Sequence, residues 1–185
     1  MHELDRIYEI YKLKQVYRQT QINNRKESTA EHIYSSIILA QYFLKKIDQK
    51  LDENKVIKLI LYHDLCEIYA GDVYTLKRTK KTDENEQKAV NKLITTLPKE
   101  ISNDLKIYWD EYLKQETLEA KFSKAIDVFD PIINEMHNET LWKKFCFTEK
   151  LLREMKEPYI KEFPKLIEFF EELIIEFKKR KIIQK

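Results

Sequence analysis

The chain is nearly without glycine: Gly71 is the only one in 185 residues, and there are four prolines. Tight hairpins draw on turn residues of this kind, so the scarcity argues against a fold of many short strands. Cysteine is almost as rare. Cys66 and Cys146 form neither a C-x-x-C pair nor a disulfide framework, which points to reduced thiols and a cytoplasmic protein. No apolar run has the length a membrane-spanning helix needs. The start, "MHELDRIYEIYKLKQ", is charged and amphipathic and is not expected to be a signal peptide. An excess of one charge is missing as well. With a formal net charge of +2 there is no strong field for nucleic acid or an anionic membrane. The basic run "KKRKIIQK" reads as a solvated terminus.

What is present is a helical period. Apolar residues recur three and four apart through Leu4, Ile7, Tyr8 and Tyr11, through Ile33, Ile37, Ala40 and Phe43, and through Val56, Leu59, Ile60 and His63. The same spacing returns in Phe122, Ala125, Ile126 and Phe129, and in Phe169, Phe170, Leu173, Ile174 and Phe177. The expected fold is an all-α, single-domain helical bundle over 1–185.

Helix starts and stops refine this. Ser28-x-x-Glu31 is a capping box that starts a helix reaching about Ile47 and puts His32 in its first turn. Asp52 caps the next helix, which is expected to carry His63, Asp64 and Glu67 and to stop near Gly71. Pro98 and Pro164 suit first-turn positions. The polar stretch from Arg78 to Lys88 reads as an exposed loop entering a helix at about Asp83. Pro131 is expected to break or kink the helix begun near Thr117. His2 is expected to be disordered, and His137 to sit near a helix end. Trp109 and Trp142 read as packing residues.

The segment "LILYHDLCEIYAGD" interrupts an apolar helix with His63, Asp64, Glu67 and Asp72. Asp127 is another acidic residue in an apolar pattern, and a buried carboxylate is costly unless paired or bound to a cation. His32 and His63 with Asp64 and Asp127 make a mixed nitrogen and oxygen donor set. It suits Mn, Fe, Co, Ni or Zn better than Ca, and the lack of thiolates argues against a structural zinc. Such a cation lowers the pKa of a bound water and neutralises phosphoryl charge. Glu67, one turn beyond His63, is placed to act on that water, and a cation such as Arg18 would pair with the phosphate oxygens.

Together, "RKESTAEH", "YHDLCEIYAGD" and "EAKFSKAIDVFDPII" resemble consecutive blocks of the HD-domain metal-dependent phosphohydrolases, in the branch of the 5′-deoxynucleotidases. The resemblance covers about 13–142, and it implies that helices from 143 to 185 pack on that core. It implies one divalent metal on His32, His63, Asp64 and Asp127. It also implies a catalytic role for Glu67, and for Asp72 facing the sugar and the scissile ester, with Thr75 as a substrate hydrogen-bond partner. An arginine upstream of the first histidine holds the phosphate in this branch, and here Arg18 is chosen, with Arg25 as the alternative. The bacterial members place tryptophan after that arginine, where this chain has Gln19. Tyr17, Tyr69 and Tyr74 are candidates to line a base pocket. The expected activity is release of phosphate from a nucleoside 5′-monophosphate. Another phosphate ester, (p)ppGpp-like or cyclic, and a non-catalytic nucleotide-binding module are the alternatives. The expected partner is the nucleotide alone, in a homodimer to which the amphipathic C-terminal helix supplies an interface.

Overall fold

The computed structural model describes residues 2–138, 142 and 147–183; Cys146 lies outside them. Among the described residues the architecture is a bundle of helices with one small hairpin. Helix α1 (Glu3–Tyr11) lies on the outside. Its periodic apolar residues Leu4, Tyr8 and Tyr11 are exposed, while Glu9 is buried and takes hydrogen bonds from Lys12 and Tyr69. His2 is not disordered. Its Nδ1 accepts the N–H of Leu4 at 3.2 Å and caps the helix.

The hairpin is a departure from the helical period. Strands β1 (Tyr17–Ile22) and β2 (Arg25–Ser28) pair antiparallel, with Ile22 opposite Arg25. The turn needs no glycine, because Asn23 takes φ 53°. Asparagine tolerates this left-handed region because its short polar side chain bonds locally.

Helix α2 (Thr29–Leu44) starts on the expected capping box. The Glu31 N–H donates to Ser28 Oγ at 3.3 Å, and the Ser28 N–H to Glu31 at 2.9 Å. It ends at Leu44, short of Ile47. Helix α3 (Glu53–His63) is capped by Asp52, which accepts the Lys55 N–H. It does not continue to Gly71. The chain turns at Asp64 and forms a separate short helix, α4 (Glu67–Ala70), closed by Gly71 at φ 74°.

Helix α5 (Lys80–Thr96) begins earlier than Asp83 and absorbs most of the polar stretch. Arg78 forks onto Glu86 at 2.7 Å and steadies that start. Pro98 stands just ahead of α6 (Lys99–Lys114) rather than inside its first turn. Helix α7 (Leu118–Asn134) runs through Pro131 for three more residues; the expected break comes only at Glu135. His137 closes the short 3-10 turn that follows. Helices α8 (Glu149–Ile160) and α9 (Pro164–Lys179) complete the order, with Pro164 in the first turn of α9.

Among the described residues, two large apolar cores and a small third one, Leu59 with Tyr112 and Ala120, hold these elements. One joins Phe43, Ile60, Phe122, Phe129, Phe163, Phe170 and Phe177 across α2, α3, α7 and α9. The second large core joins Leu13, Ile33, Leu65, Val90, Leu93 and Trp109. The apolar face of α9 is therefore taken up by the first core: Phe170, Ile174 and Phe177 are buried. It is not a free dimer face. No helix among the described residues is long and apolar enough to cross a membrane.

Candidate active site

The buried polar groups meet where α2, α3 and α7 pack together. His32 comes from the first turn of α2, His63 is the last residue of α3, and Asp127 lies in α7. On an ideal helix the adjacent His63 and Asp64 would diverge by about 100°. The end of α3 removes that conflict: Asp64 takes φ −102°, ψ 8°, and its carboxylate turns back beside the histidine. One donor atom from each of His32, His63, Asp64 and Asp127 then lies within 4.8 Å of the others.

The orientations are compatible with a divalent metal. His63 Nδ1 donates to the carbonyl of Ile60 at 2.7 Å, since a carbonyl only accepts. Its Nε2 faces the centre, buried and without a hydrogen-bond partner among the described residues, 3.1 Å from Asp64 Oδ2 and 3.6 Å from Asp127 Oδ1. His32 Nδ1 is 2.7 Å from the buried Asp130 carboxylate, and its Nε2 is 3.1 Å from Asp127 Oδ1. A carboxylate behind the ring in this way fixes the tautomer of a metal-binding histidine. Donors about 2.1 Å from one ion stand roughly 3 Å apart, so these separations fit a single divalent cation.

The field at this point calls for positive charge. Burial works against protonating either ring. Asp127 and Asp130 nevertheless lift His32 to about 9, and Asp64 with Asp127 lifts His63 to about 10. Burial opposes ionisation of Asp64 too, yet the neighbouring His63 holds it down at about 2.

Arg18, Glu67, Asp72 and Thr75 line the surrounding cleft. Arg18, on β1, reaches Asp64 at 3.2 Å and lies 3.7 Å from Asp72. Arg25 instead pairs with Glu31 on the exterior, so the structure brings Arg18 and not Arg25 to the cleft. Glu67 is buried and accepts a hydrogen bond from Thr29 Oγ1 at 2.6 Å. Burial first, and Asp64 second, push its carboxyl up to about 8. Asp72 is also raised by burial, with Arg18 opposing. Thr75 lies on the cleft wall beside Val73 and Leu76. Cys66 is buried, and burial pushes its thiol well above the ordinary value, as an inert thiol requires.

Several site groups carried no signal in the sequence. Tyr112 donates to Asp127 Oδ2 at 2.6 Å, and Lys124 does so at 2.8 Å. Lys156, on α8, lines the cleft and donates to the Val128 carbonyl at 2.7 Å. Lysine and tyrosine on amphipathic helices are commonplace, so nothing local marks them. The other polar neighbours, Asp130 and Glu27, sit behind His32.

The cleft opens into a second, mostly apolar chamber. Arg18, Asp72, Val73, Thr75, Pro131, Met155 and Lys156 belong to both spaces, whereas Ile132, Glu135, Trp142, Phe147 and Leu152 line the chamber alone. Trp142 thus lines a cavity as well as packing against Phe177, while Trp109 is buried in the second core and borders the cleft. Of the three tyrosines, Tyr74 lines the chamber. Tyr17 is exposed, and Tyr69 is bonded to Glu9.

The family model of the HD domain matches residues 10–167. The chain belongs to the HD-domain family. Among curated relatives of this HD-domain protein, the 5′-deoxynucleotidase HDDC2 of Xenopus laevis is 30% identical over 131 residues, covering 70% of this chain and 62% of that protein. The human protein of the same name is also 30% identical, with 70% and 61% covered. The matched region is thus about three-fifths of the length of these relatives. Among solved structures, a predicted metal-dependent phosphohydrolase from Magnetospirillum magnetotacticum superposes with a TM-score of 0.87 at 27% identity, covering 98% of this chain and 94% of that one. An HD-domain phosphohydrolase from Listeria innocua, at 19% identity and a TM-score of 0.70, shares the fold.

Proposed function

We propose that this HD-domain protein is a metal-dependent phosphohydrolase that removes phosphate from nucleoside 5′-monophosphates, with deoxynucleotides as the preferred class. The observation that carries this reading is the convergence of four metal-type donors with Arg18 and Glu67 at the neck of a cleft that leads into an apolar chamber. The nucleotidase relatives and the phosphohydrolase neighbour support it.

In this reading His32, His63, Asp64 and Asp127 hold one divalent cation, of the Mn, Co, Fe, Ni or Zn type. When bound, it supplies a Lewis acid for the phosphoryl group and eases ionisation of water. Glu67 accepts the proton of the attacking water. Thr29 anchors one carboxylate oxygen, which leaves the other to take the proton. Arg18 pairs with phosphate oxygens as charge builds on them. Asp72 holds Arg18 in place and faces the sugar, with Thr75 beside it. Lys156 adds a second cation at the neck. The protein acts in the cytoplasm as a homodimer, for which the exposed Leu4, Tyr8 and Tyr11 of α1 offer one apolar face.

The test is a phosphate-release screen over dAMP, dGMP, dCMP and TMP with added Mn²⁺ or Co²⁺. Equal amounts of inorganic phosphate and nucleoside are expected. Diphosphate as the product, or no phosphate from any nucleotide with any metal, would overturn the reading.

A further inference from the structure

The chamber beyond the neck holds one buried acid that the proposed chemistry does not use. Glu135 is only 3% exposed. One of its carboxylate oxygens, Oε1, accepts the backbone N–H of Gln21 at 2.6 Å. The other, Oε2, is buried with no hydrogen-bond partner among the described residues. Asn138 and Glu27 are its other polar neighbours, and burial raises the carboxyl. A buried acceptor without a donor is costly, so an unpaired one beside a cavity marks where a ligand donor fits.

The surroundings say what kind of donor. Glu135 lies in the part of the chamber away from the cleft, among Ile132, Trp142, Phe147 and Leu152. The Trp142 indole N–H donates to the Glu135 backbone carbonyl at 2.7 Å, which ties the ring to this residue. A mostly apolar chamber with an unpaired acceptor in its lining suits a heterocycle that carries an N–H on its rim. Arg18 and Lys156 at the neck would hold the phosphate at the opposite end.

We propose that the chamber is the nucleobase subsite, and that Oε2 of Glu135 accepts a hydrogen bond from an exocyclic amine of the base. Adenine, guanine and cytosine carry such an amine. A site built around a hydrogen bond rejects the analogue that lacks it more strongly than an apolar slot does. The inference rests on the nucleotidase reading and deepens it.

The test uses nucleosides, which cannot be turned over. The full chain with Mn²⁺ is titrated by calorimetry with 2′-deoxyadenosine and with 2′-deoxynebularine, which differ only in the amine. Roughly tenfold tighter binding of deoxyadenosine is expected in the wild type. In Glu135→Gln the side-chain carbonyl still accepts the Gln21 N–H, while an amide NH2 replaces the free acceptor. The preference should fall to about onefold there. Equal affinities in the wild type, no binding of either nucleoside, or an equal loss for both in Glu135→Gln would overturn the inference. An equal loss would mark Glu135 as an anchor of β1 only. The phosphate-release screen judges the parent reading independently. Phosphate release without amine preference sinks the inference alone, and amine preference without phosphate release sinks the nucleotidase reading alone.

Discussion

The proposed ligand wall and the proposed substrate wall of the cleft are held by different means. His32, His63 and Asp127 stand on α2, α3 and α7, and the same helices send Phe43, Ile60, Phe122 and Phe129 into one close-packed core. Moving a donor atom would mean moving a helix against a full core, which is costly. Across the cleft, Arg18 stands on a two-stranded hairpin, a unit that is only marginally stable by itself. It is tied down by a few polar contacts: Thr29 N–H to the Val16 carbonyl, Asn134 to Glu27, and Gln21 N–H to Glu135. Thr75 lies in a short turn with no buried residue. A metal demands fixed donor geometry, whereas a substrate enters and leaves, and the two walls differ accordingly.

The strongest way to break this comparison is to remove a ligand. Asp64→Ala should lower kcat by about three orders of magnitude or more and abolish any rise in melting temperature on adding Mn²⁺. Full activity in a folded Asp64→Ala protein would remove the metal assignment. Next comes Glu67→Gln. It should lose roughly 10²–10⁴ in kcat while metal content, measured by elemental analysis, stays at the wild-type level. Metal loss in that variant would move Glu67 from the substrate side to the ligand side.

Changes on the substrate wall should act on KM. Lys156→Met is expected to raise KM about tenfold with a smaller change in kcat. Burial lowers the Lys156 ammonium to about 8, with Asp127 opposing and Lys124 and Arg18 reinforcing the effect. The free enzyme therefore loses a phosphate-attracting charge as pH rises through about 8. In consequence kcat/KM should fall there, and Lys156→Met should flatten that limb of the profile. The stability effect has the opposite sign. Between about 8 and about 10.4 the unfolded lysine binds more protons than the folded one, so this group's contribution to stability rises with pH. An unchanged alkaline limb in the variant would take Lys156 out of phosphate binding.

The smallest effect is expected in the hairpin turn. Asn23→Ala places an ordinary side chain at φ 53° and should cost about 1 kcal/mol in denaturant unfolding. It should also raise KM more than it lowers kcat, because only the Arg18 side is loosened. A larger loss in kcat than in KM would mean that the two walls are not independently held.

The proposed ligands were legible because each violates a local rule. His32, His63 and Asp127 fall on helices where the period calls for apolar residues, and burying them is costly unless something compensates. The capping box at Ser28 was legible for the same local reason. The hairpin was not, because its turn rests on Asn23 rather than glycine and its strands are short. The break at Asp64 was hidden too, since "HDLCEIYA" continues an acceptable helical pattern. Lys156 and Glu135 were invisible: a lysine and a glutamate on helical segments are ordinary solvent-facing residues until something covers them.

By itself, then, the order of residues determined the helical period, the caps, and which polar groups would be trapped in apolar surroundings, because these depend on neighbours within a few positions. Only the tertiary structure decided that Arg18, Asp64 and Asp72 would meet, that His32 and Asp127 would face each other from 95 residues apart, and that Glu135 would be buried in the lining of the chamber. The physical reason is that helices are set together by burying their apolar faces in shared cores. The polar groups on their other faces are then brought into contact by a packing that no short stretch of sequence contains.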